Sequence, residues 1–407
     1  MCTDNHTETE FIKKGIYMKT LYLHIGTPKT ATSSIQEFLQ INRKTLEKHG
    51  CCFPKLPHKY PYVCSNRNAH FMVENLYYED GTRDFPLEME FLREGLDNVA
   101  ECMKEFDNVI LSEENLWRVS SYSHKELFPY LEQEARQQGY QIKIIVYLRR
   151  QDQFLVSNWN QCVKQGKTSC RQTLESFIKT TQKKYKLVLD YASKLDRMAE
   201  LFGKENLIVR RFAPGSWVRH SIIHDFMDCI GLELTEDFTL PSRMVNPGLS
   251  GNNAEIKRII NKESSFSKEE NTFLTTFLKT LSPESGERYP CSMLFREETR
   301  TLLNKYAAGN ARVASEYIKD NCPLFTDDIP DLPRWEKDNP YMTEDIIRFF
   351  SLVSIDLRRE NEILRQELKD LRQTVKDEQK VLRIFKNKLK HPFRTLWNRI
   401  FHHESFT

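Results

Sequence analysis

The chain has 407 residues, with 60 Lys and Arg against 57 Asp and Glu, a formal net charge of +3, and a negative mean hydropathy. That length exceeds one ordinary domain and permits a large core, and the near-balanced charge points to no nucleic-acid partner. No run approaches the roughly 18 apolar residues that a membrane-crossing helix needs, and the first ten residues lack a basic-then-apolar leader, so a cytoplasmic protein is expected. The ten cysteines are scattered without CxxC pairing. That spacing argues against a zinc site and, in a reducing compartment, against a disulfide framework, so no metal is expected.

Residues 1–17 read as a flexible extension. An apolar strand over 20–26 then runs into Thr27-Pro-Lys-Thr-Ala-Thr-Ser-Ser34, a hydroxyl-rich loop with a single lysine. Ile35, Phe38, Leu39 and Leu46 follow at near-helical spacing, so the loop opens a helix whose free N–H groups and positive dipole end face an anion. The nucleotide-binding pattern GxxxxGK[ST] is absent, because no Gly-Lys-Ser/Thr closes the loop. Further on, His70 stands alone in Asn66-Arg-Asn-Ala-His70.

A second strand, 108–112, ends in Glu113 and Glu114. Adjacent carboxylates there serve either as a general base, one raising the other's pKa, or as ordinary first-turn acids of a helix. A third strand, 141–148, ends in Arg149-Arg150, and Ser157 lies eight residues beyond Arg149. A guanidinium offers paired, charge-assisted bonds to phosphate, and a hydroxyl near a helix start adds another donor. The fourth strand, 206–212, carries Arg210-Arg211. Strands alternating with helical runs predict an α/β fold with a mainly parallel sheet covered on both faces, its ligand at the carboxyl ends of the strands. Helices over 216–230, 253–262, 268–281 and 296–317 complete a catalytic unit spanning 18–340.

The Pro-Lys-Thr-x-Thr-Ser-Ser string resembles the 5′-phosphosulfate loop of sulfotransferases that use 3′-phosphoadenosine 5′-phosphosulfate (PAPS). The strand ending in Arg149 with Ser157 eight residues later resembles the 3′-phosphate site of the same family. Over roughly 19–325 the arrangement is similar to bacterial-type carbohydrate sulfotransferases that modify surface polysaccharides or glycolipids. Asn246-Pro-Gly-Leu-Ser250, residues 306–317 and Leu324-Phe325 are fainter echoes.

The resemblance implies a P-loop-like parallel sheet flanked by helices, and sulfuryl transfer from PAPS to a carbohydrate hydroxyl with adenosine 3′,5′-bisphosphate as product. It places Thr27, Pro28, Lys29, Thr30, Ala31, Thr32, Ser33, Arg149 and Ser157 at the donor, with Arg243, Asn246 and Ser250 closing over the nucleotide. Lys29 stabilises the departing phosphate oxygen, and His70, Glu113 or Glu114 takes the acceptor's proton. Ala31 stands where the family usually has Gly, a position at which positive φ is expected. A phosphoryl-transfer enzyme on a related scaffold, or an inactive sulfotransferase-like interaction protein, stays open as an alternative.

From about Asp345 a heptad frame sets Ile347, Ser354, Asn361, Leu368, Val375 and Leu382 at a, with Phe350, Leu357, Leu364, Leu371, Glu378 and Phe385 at d. The spacing predicts a coiled-coil helix over 341–387, and a single Asn at a favours a parallel homodimer. The tail 388–407, with the residues just before it, interleaves basic and aromatic side chains. That composition suits either an anionic membrane surface, where a lipid-linked acceptor would sit, or a purely solvated basic end.

Overall fold

The computed structural model describes residues 19–55, 66–121, 126–165, 171–184, 186–241, 248–263 and 266–390, together with 393 and 397. The chain begins with β1 (Thr20–His24), α1 (Thr32–Ile41), α2 (Arg43–Lys48) and β2 (Cys51–Cys52), then α3 (Phe85–Glu105) and β3 (Asn108–Ser112). Next come α4 (Leu127–Gln138), β4 (Gln141–Leu148), α5 (Gln151–Gln165), α6 (Leu174–Lys184), α7 (Lys186–Leu189), α8 (Tyr191–Phe202) and β5 (Leu207–Arg211). The rest is helical: α9 (Ile222–Cys229), α10 (Gly251–Ile260), α11 (Lys268–Arg288), α12 (Arg296–Val313) and α13 (Met342–Lys390).

The five strands form one sheet in the order β2-β3-β1-β4-β5, with every neighbouring pair parallel. The expected α/β class with a parallel sheet covered by helices is what the chain adopts. Alternate side chains of β1 and β4 enter opposite cores. Leu21, Leu23, Ile144 and Val146 pack with Leu96, Leu131 and Leu195, whereas Tyr22, Ile145 and Tyr147 pack with Phe38, Leu39 and Phe226. A third cluster, including Trp159, Val163, Leu278 and Phe349, joins α5 to the later helices.

The differences from expectation have local causes. β2 is two residues at a sheet edge, too short for any periodicity. The helix expected over 216–230 starts only at Ile222, because Arg219 (φ 51°) and His220 (φ 55°) take left-handed backbone that breaks the run. α11 continues past 281 to Arg288, carrying Pro283 within it.

His24, inside β1, is a buried packing residue. Nδ1 lies 2.9 Å from Ser112 Oγ, the ring meets Phe226 edge-on, and Nε2 has no partner among the described residues. Complete burial pushes its pKa down to about 3. Between pH 6.5 and 3 the unfolded chain therefore binds the extra proton, so stability is full above that window and falls as the pH drops through it. The loss is on the order of 4 kcal/mol once pH 3 is reached. Urea unfolding of the parent and His24→Met at pH 7 and pH 4 checks this, since the variant is expected to lose much less on acidification. An equal loss in both would assign acid sensitivity elsewhere.

Candidate active site

The centre of the site is the turn between β1 and α1. Gly26 (φ 99°) makes it possible, because a Cβ there would sit 3.0 Å from Pro28 N and 3.3 Å from Glu114 Cα. The loop is tied to the neighbouring strand: Thr27 donates to Tyr147 O through N (2.9 Å) and Oγ1 (3.1 Å), and Tyr147 N donates to Gly26 O (2.7 Å). Thr30 Oγ1 donates to Thr27 O at 2.5 Å. Thr27 and Thr30 are thus buried braces, and Pro28 is buried with them.

Ala31 takes the left-handed conformation at the N-cap of α1 (φ 56°, ψ 23°), the backbone a glycine at this position permits, and Lys29 (φ 71°) does so too. A left-handed non-glycine residue costs roughly 1–2 kcal/mol, so the turn is held by the braces around it. α1 has neither a side-chain cap nor an acidic residue in its first turn, and Ser33 is exposed there. Its leftover N–H groups are therefore available to an anion.

The charges around the turn are mostly positive. Among the described residues Lys29 Nζ bonds to a neutral partner, Gln161 Oε1, at 3.3 Å. Burial lowers its pKa; Glu114 opposes that, and Arg149 and Lys279 add to it. Arg149, at the end of β4, donates from Nη1 to Lys29 O (2.8 Å) and lies over the Phe212 ring at 5.4 Å, and its Nε is a buried donor without a partner among the described residues. Lys164 is lowered to about 8 by burial and by Lys29 and Lys279. Gln161 and Lys164 lie one and two turns beyond Ser157 on α5, so the three share one face of that helix. Thr275 Oγ1 donates to Lys164 O (3.4 Å), which brings α11 and Lys279, one turn along, against the same end of α5.

The other arginines at the strand ends are already engaged. Arg150 pairs with Asp152 (2.8 Å) and donates to the carbonyls of Thr326 and Asp328; Arg211 pairs with Asp320 and donates to those of Pro323 and Leu324. Arg210 pairs with Asp228. These three fasten later segments to the sheet, which leaves Arg149 beside the loop.

The candidate bases separate clearly. Glu113 is fully buried and saturated. Its oxygens accept from both Arg67 nitrogens, from Asn115 N (2.8 Å), and lie 2.8 Å from His70 Nδ1. Burial opposes its ionisation, but the His70 and Arg67 contacts outweigh that and hold its pKa below the usual carboxylate value. His70 is bounded by Glu113 on one nitrogen and Glu74 on the other. Glu114 stands at the loop, half-buried, where Oε2 accepts from Thr32 Oγ1 at 2.5 Å. Of the three, it alone bonds to a residue of the 27–34 segment through its side chain.

Arg243 and Asn246 lie outside the described residues. Ser250, expected to help close the site, caps α10 by accepting from Asn253 N, and its own hydroxyl lies 2.9 Å from Ser285 Oγ. Leu249 is pinned to Asn160 of α5 through both its N–H and its carbonyl. Of the nearby aromatics, Phe53 and Trp117 are core residues and Tyr77 and Tyr78 are exposed; Tyr60 and Tyr62 are outside the described residues. Sequence reading missed Arg67, Gln161, Lys164 and Lys279. The Ser157–Gln161–Lys164 spacing was the one available signal.

No protein-family model matches the chain. A protein of Archaeoglobus fulgidus described as uncharacterized is 26% identical over 178 residues, 43% of this chain and 46% of that relative, so the match spans less than half of its length. Among solved structures, a sulfotransferase from Alicyclobacillus acidocaldarius covers 56% of this chain and 86% of its own, at 19% identity and a TM-score of 0.33. That superposition is too loose to carry an argument. No described helix is long and apolar enough to cross a membrane.

Proposed function

We propose that the protein is a sulfotransferase that moves a sulfuryl group from PAPS to a hydroxyl of a carbohydrate acceptor, a surface polysaccharide or glycolipid. The observation that carries this is the buried turn with Lys29 and Arg149 side by side, neither ion-paired among the described residues, at an uncapped helix start. Such a site favours a ligand with several negative charges, because an anion relieves both the cation–cation repulsion and the unpaired guanidinium.

The residues divide the work. First-turn N–H groups of α1 and Ser33 hold the 5′-phosphate, and Arg149 with Ser157 holds the 3′-phosphate. The acceptor oxygen bonds to sulfur as the sulfur–phosphate oxygen bond breaks. Lys29 stabilises charge on the departing oxygen, and Glu114 takes the acceptor proton. The products are a sulfate ester and the bisphosphate. Placement of the basic tail against an anionic membrane, near a lipid-linked acceptor, belongs to this proposal.

Glu114→Gln tests the base. Gln keeps an oxygen for Thr32 but accepts no proton, so turnover is expected to fall about 10²–10⁴-fold. Unchanged turnover would reduce Glu114 to a brace for Thr32. The reaction itself is tested by following carbohydrate-dependent consumption of labelled PAPS without added metal. Transfer from ATP that requires Mg²⁺, with PAPS untouched, would favour the phosphoryl-transfer alternative.

A further inference from the structure

α13 has two different halves. Its first turns are docked: Asp345 accepts from Asn252 (2.8 Å) and Ser285 (2.7 Å), and Phe349 and Val353 are buried with the helical cluster. Beyond Val353 no described residue is buried, although the helix runs on to Lys390. That is about 55 Å of helix at 1.5 Å per residue, with water on all sides. It carries an apolar line through Leu357, Leu364, Leu368, Leu371, Val375 and Leu382, interrupted by Asn361 and Glu378. Leu371, for example, is 61% exposed and Leu382 58%. Leu389 falls on the next a position of the same frame.

We propose that a second copy of this chain covers this line, forming a parallel, in-register two-stranded coiled coil over 354–389. The charges beside the seam choose the partner and its direction. The first three e positions are Arg358, Arg365 and Arg372, followed by Gln379 and Lys386, and two g positions are Glu360 and Glu367. In a parallel pair each g residue faces the e residue of the following heptad on the other helix. Glu360 thereby meets Arg365 of the second copy, and Glu367 meets Arg372, each twice by symmetry. In an antiparallel pair e faces e and g faces g, so Arg would meet Arg and Glu would meet Glu.

Within one chain, Arg358 pairs with Glu362, but Glu360, Glu367, Arg365 and Arg372 make no ion pair among the described residues. Those four are left for the second helix. Asn361 at an a position meets its own counterpart only in the parallel, in-register arrangement, the device that favours two strands over three. The two catalytic units then sit at one end of the rod and the two basic, aromatic tails at the other. This assembly holds whatever reaction the units catalyse.

Light scattering on the full chain at micromolar concentration is expected to give twice the 48.3 kDa chain mass. Oxidation of Asn361→Cys should yield a disulfide-linked dimer that the parent, with its own cysteines, does not form. Glu360→Arg/Glu367→Arg and Arg365→Glu/Arg372→Glu should each weaken pairing at least about tenfold, and mixing the two should restore a dimer. The restored pair shows that neither variant merely misfolds. A monomer at tens of micromolar, a trimer, failure of residue 361 to cross-link, or pairing unmoved by the charge swaps overturns the proposal.

Discussion

Replacing Lys29 with Ala is expected to lower sulfuryl transfer about 10³-fold while weakening bisphosphate binding by less than about tenfold. The asymmetry follows from where the charge is needed. In the proposed mechanism the donor's phosphate is already held in the ground state by helix N–H groups and Ser33. Negative charge grows on the bridging oxygen only as the sulfur–oxygen bond breaks. Lys29 is poised for that moment, because its resting partner is the neutral Gln161 and burial makes its charge costly until an anion arrives. Single-turnover rates with labelled PAPS, set beside calorimetric titration of the bisphosphate, separate the two quantities. Equal losses in rate and affinity would make Lys29 a simple binding residue, and unchanged turnover would sink the mechanism.

The parts of the site that lie close together in sequence were legible. The Thr27–Ser34 string, the Glu113-Glu114 pair and Arg149 each follow a short apolar strand, and the parallel order of β3, β1 and β4 brings those strand ends together. What assembles by tertiary packing was not legible. Arg67 closes on Glu113 across 46 residues and Gln161 on Lys29 across 132, and neither contact leaves a trace in local spacing. The doublets Arg149-Arg150 and Arg210-Arg211 look alike in sequence. Only the carbonyls of 323–328 and the carboxylates of Asp152, Asp228 and Asp320 decide which arginine remains at the loop. Ala31 shows the converse: its left-handed backbone was foreseeable because the resemblance set a glycine there, and the protein keeps the conformation without the residue.

Replacing Arg149 with Ala is expected to weaken bisphosphate binding about 10²–10³-fold, roughly 3–4 kcal/mol, with little effect on the poorer binding of ATP. Two contributions combine. The variant loses a charged fork whose Nε has no partner among the described residues, and it loses the 2.8 Å bond from Nη1 to Lys29 O that supports the turn. Arg149→Lys should recover little, since an ammonium cannot both reach that carbonyl and grip a phosphate with two parallel bonds. Ser157→Ala should cost about tenfold, the worth of one hydrogen bond to a charged group. If both residues hold the same phosphate, the double variant should lose less than the sum of the single losses, and strict additivity would separate their ligands. Calorimetry with the bisphosphate and with ATP, on variants whose thermal unfolding matches the parent, gives all of these values. A parent that binds ATP as tightly as the bisphosphate would reassign the donor, because a 3′-phosphate is the one group that Arg149 and Ser157 are proposed to recognise and ATP lacks it.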